Sequence, residues 1–332
     1  MKKMPDSAYP SESEPLTYSI DRTEAGEAIL SNQVTCDTAI TICVPCYRDH
    51  AAPLLSGLSR LAEAPQTGLL LFDDGSGDET LTKQLAGHIM KYPGPARLIT
   101  APQNAGRAHA RNRLVAMAES DWILLVDADM RPDTDLFLSR YVKSIEQADG
   151  PALIAGGFTL RQVTPTKKTR LHAAQSALSE CLSAEARCEE PGRYVFTSNI
   201  LVHKQILETV RFDDGFSGWG WEDVDWGLRV AETYPVRHIE NTATHLGLDD
   251  TETLLAKFGG SGANFARLAE RHPDAVRQMQ LWKIARLSQR LPFKATWTGL
   301  CRSVAKTEWL PISLRLPALK LYRAFRYGEH LA

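Results

Sequence analysis

Asp127 and Asp129 stand one residue apart at the end of the apolar run Trp122-Ile-Leu-Leu-Val126. Such a run reads as a strand buried on both faces, so the two carboxylates fall where the strand stops. Residues i and i+2 of an extended chain point to the same side, and open α/β sheets bind ligands beyond the carboxyl ends of their strands. Two carboxylates held together suit a hard divalent cation, Mg²⁺ or Mn²⁺, shared with phosphate oxygens. His245, ending the short extended piece Ala243-Thr-His245, is a structural residue or, beside a carboxylate pair, a third ligand to Asp127 and Asp129.

Other stretches carry chemistry of their own. Phe72-Asp-Asp-Gly-Ser76 places Asp73 and Asp74 at a second strand end, where a carboxylate can accept the imino N–H of a pyrimidine or complete a turn with Gly75. Gln103 to Asn112 opens a helix whose free N–H groups suit an anion. Arg107 and Arg111, one turn apart on it, read either as partners of a diphosphate or as a solvated basic face. In Trp219-Gly-Trp-Glu-Asp223 two aromatic faces suited to sugar C–H surfaces stand beside carboxylates suited to hydroxyls. Glu222 and Asp223 also favour the first turn of a helix running to Ala231 through its dipole. Ser198 and Asn199 are sugar contacts or backbone-pairing residues.

These residues need a scaffold, and the apolar pattern supplies one. Strands are expected at Ala39–Val44, Gly68–Phe72, Ala96–Thr100 and Trp122–Val126, with helices at Ala51–Ala62, Thr80–Lys91 and Ala105–Glu119 between them. Alternation of this kind means βαβ units and a mostly parallel sheet. A further helix from Asp133, a strand at Ala152–Ala155 and a mobile polar stretch over Thr164–Glu190 follow. Residues 1–37 read as an N-terminal arm, disordered in part. Residues 38–273 make the main domain, and 274–332 a helical basic extension.

Composition sets the outer limits. The 332 residues are 43% hydrophobic and 23% charged, ample for a large core. A net charge of −2 argues against nucleic acid as a partner, yet from Ala275 onward there are 11 Lys and Arg against 2 Asp and Glu. That asymmetry points to an anionic surface such as a membrane. Ala318, Leu321, Tyr322 and Phe325 share one helical face, and Trp282, Trp297 and Trp309 suit a headgroup zone, so the tail reads as membrane-associating or as packed on the domain. Six scattered cysteines, Cys43-Val-Pro-Cys46 included, read as packing residues in a reducing cytoplasm. The expected location is cytoplasmic, with a peripheral position on the inner face of the membrane as the alternative.

Taken in order, Phe72-Asp-Asp-Gly-Ser76, Asp127-Ala-Asp129, Trp219-Gly-Trp-Glu-Asp223 and His245 resemble an inverting glycosyltransferase of family 2 with the GT-A fold, over roughly 39–273. The resemblance implies a nucleotide-sugar donor, most often a UDP-sugar, and a glycan or lipid-linked glycan acceptor. It implies that Asp74, with Pro45 and Tyr47, holds the uracil, that Asp127 approaches the ribose or donor sugar, that Asp129 and His245 ligate Mn²⁺ or Mg²⁺, and that Asp223 is the base. Asn104-x-Gly106-x-x-x-Ala110-Arg111-Asn112 also matches the family pattern near the nucleotide. The extra glycines of galactosyltransferase relatives and the Gln-x-x-Arg-Trp element of processive synthases are missing, which favours single addition. A sugar nucleotidyltransferase would need a glycine-rich basic loop after the first strand, and Val44-Pro-Cys-Tyr-Arg-Asp49 has none. A non-catalytic carbohydrate binder would have no need of the carboxylates.

Overall fold

The computed structural model describes residues 20–332. Two short strands come first, β1 (Ile20–Arg22) and β2 (Ala28–Ser31). Strand and helix then alternate: β3 (Ile40–Cys46), α1 (Ala52–Leu58), β4 (Thr67–Asp73), α2 (Glu79–Met90), β5 (Ala96–Thr100), α3 (Arg107–Met117) and β6 (Trp122–Val126). The middle of the chain holds β7 (Met130–Pro132), α4 (Phe137–Glu146), β8 (Leu153–Ala155), β9 (Phe158–Thr159), α5 (Arg170–Ser179), α6 (Ala184–Cys188), β10 (Asn199–His203) and α7 (Lys204–Thr209). Next come α8 (Glu222–Ala231), β11 (Val236–His238) and β12 (Ala243–His245). The remaining helices are α9 (Thr251–Gly260), α10 (Gly262–Arg271), α11 (Pro273–Gln278), α12 (Gln280–Ser288), α13 (Lys294–Lys306) and α14 (Ile312–Tyr327).

Nine strands form one sheet in the order β1-β2-β5-β4-β3-β6-β10-β8-β11, and its centre, β5-β4-β3-β6, is parallel. Every residue of β4 and β6 is buried, as their unbroken apolar runs require of strands covered on both faces. Helices α1, α2 and α4 cover one face through Leu54, Leu58, Leu81, Leu85 and Phe137. Helices α3, α7 and α8 cover the other through Leu114, Ile206, Trp226 and Val230. The order in which successive strands are added reverses between β3 and β6, which stay parallel, and there the ladder stops early. β3 pairs with β6 only as far as Cys43↔Leu125, while its pairing with β4 continues to Cys46↔Asp73. Pro45, which has no N–H to donate, lies beyond the point where β6 asks for one. The sheet therefore opens between these two strands at their carboxyl ends.

The two ends of the described chain both pack on this domain. From Ile20 the arm is a hairpin on the sheet edge, β1 antiparallel to β2 and β2 antiparallel to β5, while residues 1–19 lie outside the described part. Glu27, in its turn, takes two hydrogen bonds from Arg113 of α3, at 2.8 and 2.7 Å. The basic extension is a third layer on the domain. Leu319, Tyr322 and Phe325 of α14 pack with Leu171, Leu254 and Phe258, so of the two readings of this face, lipid or domain, the domain covers it except at Leu321. Arg315 is buried as well, donating to the Ala305 carbonyl (2.8 Å) and to Thr251 Oγ1 (3.0 Å). Among the described residues no helix is long and apolar enough to cross a membrane.

Candidate active site

A cleft of about 710 Å³ opens where the sheet parts, within the range of small-molecule sites. The ends of four parallel strands supply one side: Pro45 near the end of β3 and Tyr47 just after it, Asp74 after β4, Asn104 to Asn112 after β5, and Asp127 to Asp129 after β6. The loop Phe212 to Gly218 and Glu222 face them. Of the predicted site residues, Pro45, Tyr47, Asp74, Gly106, Arg111, Asp127, Asp129 and Glu222 line the cleft.

Asp129 and His245 come together through a small second sheet, β7-β12-β9. The register His245↔Met130 and a hydrogen bond from Leu246 N–H to the Asp129 carbonyl (2.8 Å) bring His245 Nε2 to 3.0 Å from Asp129 Oδ2. Burial alone would raise the Asp129 carboxyl, but the hydrogen bond and charge of His245 bring it below its ordinary value. Burial disfavours the His245 imidazolium, and Asp129 outweighs that and raises it. A Cβ at Gly247 would stand 2.1 Å from Asp129 Oδ2 and 3.3 Å from His245 Nε2, so only glycine leaves the space before this pair free. A carboxylate and an imidazole with open space between them and the cleft fit Mn²⁺ or Mg²⁺, which draw their other ligands from phosphate oxygens and water. Asp127 does not join them. It lies 3.5 Å from Arg111 Nη2, and among the described residues no three His, Cys, Asp or Glu side chains form one cage.

Asp74 is committed to the protein. Its Oδ1 accepts from Ala105 N–H (3.0 Å), and its Oδ2 accepts from Gly106 N–H (2.8 Å) and Asn104 Nδ2 (2.9 Å). It thereby shapes the loop before α3. Gly75 permits that approach, since a Cβ there would lie 2.2 Å from the Gln103 carbonyl carbon. Asp73 is buried behind it, Oδ1 accepting from Ser76 N–H at 3.1 Å and Oδ2 without a partner. Asp73 therefore supports the pocket without lining it.

Across the cleft, α8 presents Glu222; Asp223, next to it, is not among the lining residues. Both Asp223 oxygens accept from Thr197 Oγ1 (3.1 and 2.9 Å), and Oδ2 also accepts from Thr197 N–H (3.0 Å). Arg111 is buried rather than solvated, with one nitrogen 3.7 Å from Asp223 and another 3.5 Å from Asp127. Burial works against its charge, and Asp223 and Asp127 overcome that, holding the guanidinium more firmly protonated. Burial, aided by Asp223, pushes the Glu222 carboxyl up, and Glu222 Oε2 is buried with no hydrogen-bond partner. Burial and then Arg111, which opposes it, act on Asp127; with Asp129 adding repulsion the net shift is upward. Arg107 stays exposed at the start of α3, 4.0 Å from Glu222.

The tryptophans expected to carry a sugar turn inward. Trp221 has left-handed backbone (φ 77°), and its ring packs on Phe265 while Nε1 donates to Tyr327 Oη at 3.1 Å. Trp219 packs on Phe258, with Lys257 over its ring. Asn264 fixes the loop that aims both, donating to the carbonyls of Ser217 (2.9 Å) and Gly220 (3.0 Å). Neither indole lines the cleft, because apolar partners on α9, α10 and α14 bury more of each ring. Asn199 is likewise structural, bonded to Tyr141 Oη (2.7 Å) and to the Gly157 and Asn241 carbonyls. Ser198 contributes its carbonyl to Asp127 N–H. Sequence reasoning missed Thr197, which sits beside the two residues it did single out, and Asp49, which lines the cleft and is raised by burial and by Asp129.

An open α/β sheet with a carboxylate pair at the β6 end and an acidic helix start opposite defines the GT-A class of transferases. The chain belongs to glycosyl transferase family 2, whose model matches residues 41–211. Among solved structures it is similar to the mannosyltransferase PcManGT from Pyrobaculum calidifontis in complex with GDP-Man and Mn²⁺, at 13% identity and a TM-score of 0.55 over 90% of this chain and 89% of that one. It is similar also to S. aureus TarS, at 13% identity and a TM-score of 0.50 over 88% of this chain and 54% of that one. No curated protein matches it.

Proposed function

We propose that this glycosyltransferase moves a sugar from a UDP-sugar to a hydroxyl of a glycan or lipid-linked glycan, once per encounter and with inversion. The observation that carries the reading is the pairing of Asp127 and Asp129 on one wall with Glu222 on the other and Asp223 beside it, Arg111 lying between Asp127 and Asp223. The nucleotide would lie over Pro45, Tyr47 and the Asn104–Gly106 loop that Asp74 holds. Its diphosphate would meet Arg107 and the free N–H groups at the start of α3. Asp129 and His245 would hold Mn²⁺ or Mg²⁺, which when bound supplies positive charge to the diphosphate oxygens.

Asp223 then accepts the proton of the attacking hydroxyl, as a general base within hydrogen-bond reach must. Thr197 keeps its carboxylate aimed, and the Arg111 guanidinium faces it at 3.7 Å. The new bond to the anomeric carbon forms on the face opposite the departing nucleoside diphosphate, so configuration inverts. GDP-sugar is the second reading for the donor, since the mannosyltransferase of similar fold carries GDP-Man. A thermal-shift screen of UDP- and GDP-sugars with and without Mn²⁺ separates them. A donor at 100 times its Kd adds about 2.7 kcal/mol to stability. No shift with any nucleotide sugar overturns the donor assignment.

A further inference from the structure

Eight of the twelve large apolar side chains that stand exposed among the described residues lie between Leu287 and Leu321. They are not scattered there. Phe293, Trp297 and Leu300 occupy i, i+4 and i+7 at the start of α13, one face of that helix, and are 80%, 48% and 52% exposed. Further along, α13 is spent on the fold: Cys301 and Ala305 are buried, and Arg302 and Lys306 both reach Glu252. Leu291 and Phe293 stand out together at the tip between α12 and α13, where Phe293 has left-handed backbone (φ 54°). An L-residue pays about 1–2 kcal/mol for that conformation, and here it turns a phenyl ring toward water and away from any core.

Charge accompanies these rings. Between Ala275 and Thr307 the chain has seven Lys and Arg and no Asp or Glu. Lys283, Arg290 and Lys294 have no ion-pair partner among the described residues, and the last two flank the Leu291-Pro292-Phe293 tip. Long cationic side chains around a small apolar wedge match a bilayer whose surface is anionic, the wedge entering the headgroup zone and the cations meeting phosphates. We propose that the α12–α13 tip is the membrane-docking surface of this protein, with anionic phospholipid as its partner. The surface lies on other residues than the α14 face that the sequence pattern suggested, which is used up inside the molecule. It does not rest on the donor or acceptor assignment, so the two stand or fall separately.

Flotation of the intact protein with vesicles tests it, using phosphatidylcholine alone and phosphatidylcholine mixed with phosphatidylglycerol. The intact chain rises with the anionic vesicles in low salt and less so in high salt. Phe293→Ser combined with Trp297→Ser lowers the bound fraction about tenfold or more, with melting temperature unchanged because both side chains are exposed. Lys283→Glu, Arg290→Glu and Lys294→Glu together abolish the difference between the two vesicle types. The proposal is overturned if the intact chain stays at the bottom with both vesicles, or if the Phe293/Trp297 variant floats as the parent does. It is overturned equally if that variant changes only the sedimentation of the free protein, from dimer to monomer. The surface would then belong to a second copy of the chain.

Discussion

The two neighbouring carboxylates of α8 differ in what they touch, and this decides which can act. Asp223 is held by Thr197 and faces Arg111, whereas Glu222 keeps one buried oxygen unpartnered and is pushed up by burial. Asp223→Asn preserves shape but takes no proton, so turnover should fall by ~10²–10⁴ with donor affinity nearly unchanged. Glu222→Gln should cost less. Single-turnover rates for both variants check this, and a slower Glu222→Gln would transfer the base to Glu222. On the other wall, Asp129→Ala should abolish turnover and also remove the Mn²⁺ dependence of nucleotide binding, read by calorimetry. Unchanged cation dependence would remove Asp129 from the metal site. Residue types and spacing made Asp127, Asp129, His245 and the acidic start of α8 legible. They did not reveal that Asp74 is saturated by the Asn104–Gly106 loop or that Arg111 is buried, since both depend on how the segment after β5 folds back over β4.

Among elements, the parallel core was the most legible part, with β5, β6 and α8 falling where the apolar runs and acidic turn put them. The edge hairpin was not, because β1 and β2 have three and four residues, too few to show alternation. The inward turn of Trp219 and Trp221 was hidden as well, since their partners Phe258 and Tyr327 lie 39 and 106 residues away in sequence. One loop-to-helix tie has a measurable pH signature. Asp213, on the cleft rim, accepts from Arg267 Nε at 2.8 Å and pairs with Arg271. The hydrogen bond from Arg267 is the main reason its carboxyl lies well below the ordinary value. A depressed folded pKa contributes stability that is complete above the unfolded value of about 3.9 and fades as pH falls toward the folded one. Asp213→Asn should therefore melt lower at neutral pH and lose less on acidification than the parent. Parallel melting curves for the two proteins from pH 6 to pH 3, about the span of a carboxylate titration, would refute this.

At the scale of the molecule, the basic extension is structural before it is anything else. Deleting α14 removes Leu316, Leu319, Tyr322 and Phe325 from one cluster and Tyr327 from the next. At roughly 1.5–3 kcal/mol for each large apolar side chain, that loss is comparable with the entire stability of a typical domain. The shortened chain should be insoluble or should unfold without a cooperative transition by circular dichroism. A normal melt would mean that the extension is dispensable. The hydrogen bond from Trp221 to Tyr327 has a further consequence for synthesis on the ribosome. The residues that lead into Glu222 and Asp223 are anchored to a helix made 106 residues later. At roughly 5–20 residues per second, the nascent chain carries α8 for about 5–20 s before its clamp exists. Until α14 emerges, the left-handed Trp221 backbone is held only by its packing on Phe265 and by Asn264, so the sheet is finished before the acid-bearing wall of the cleft is.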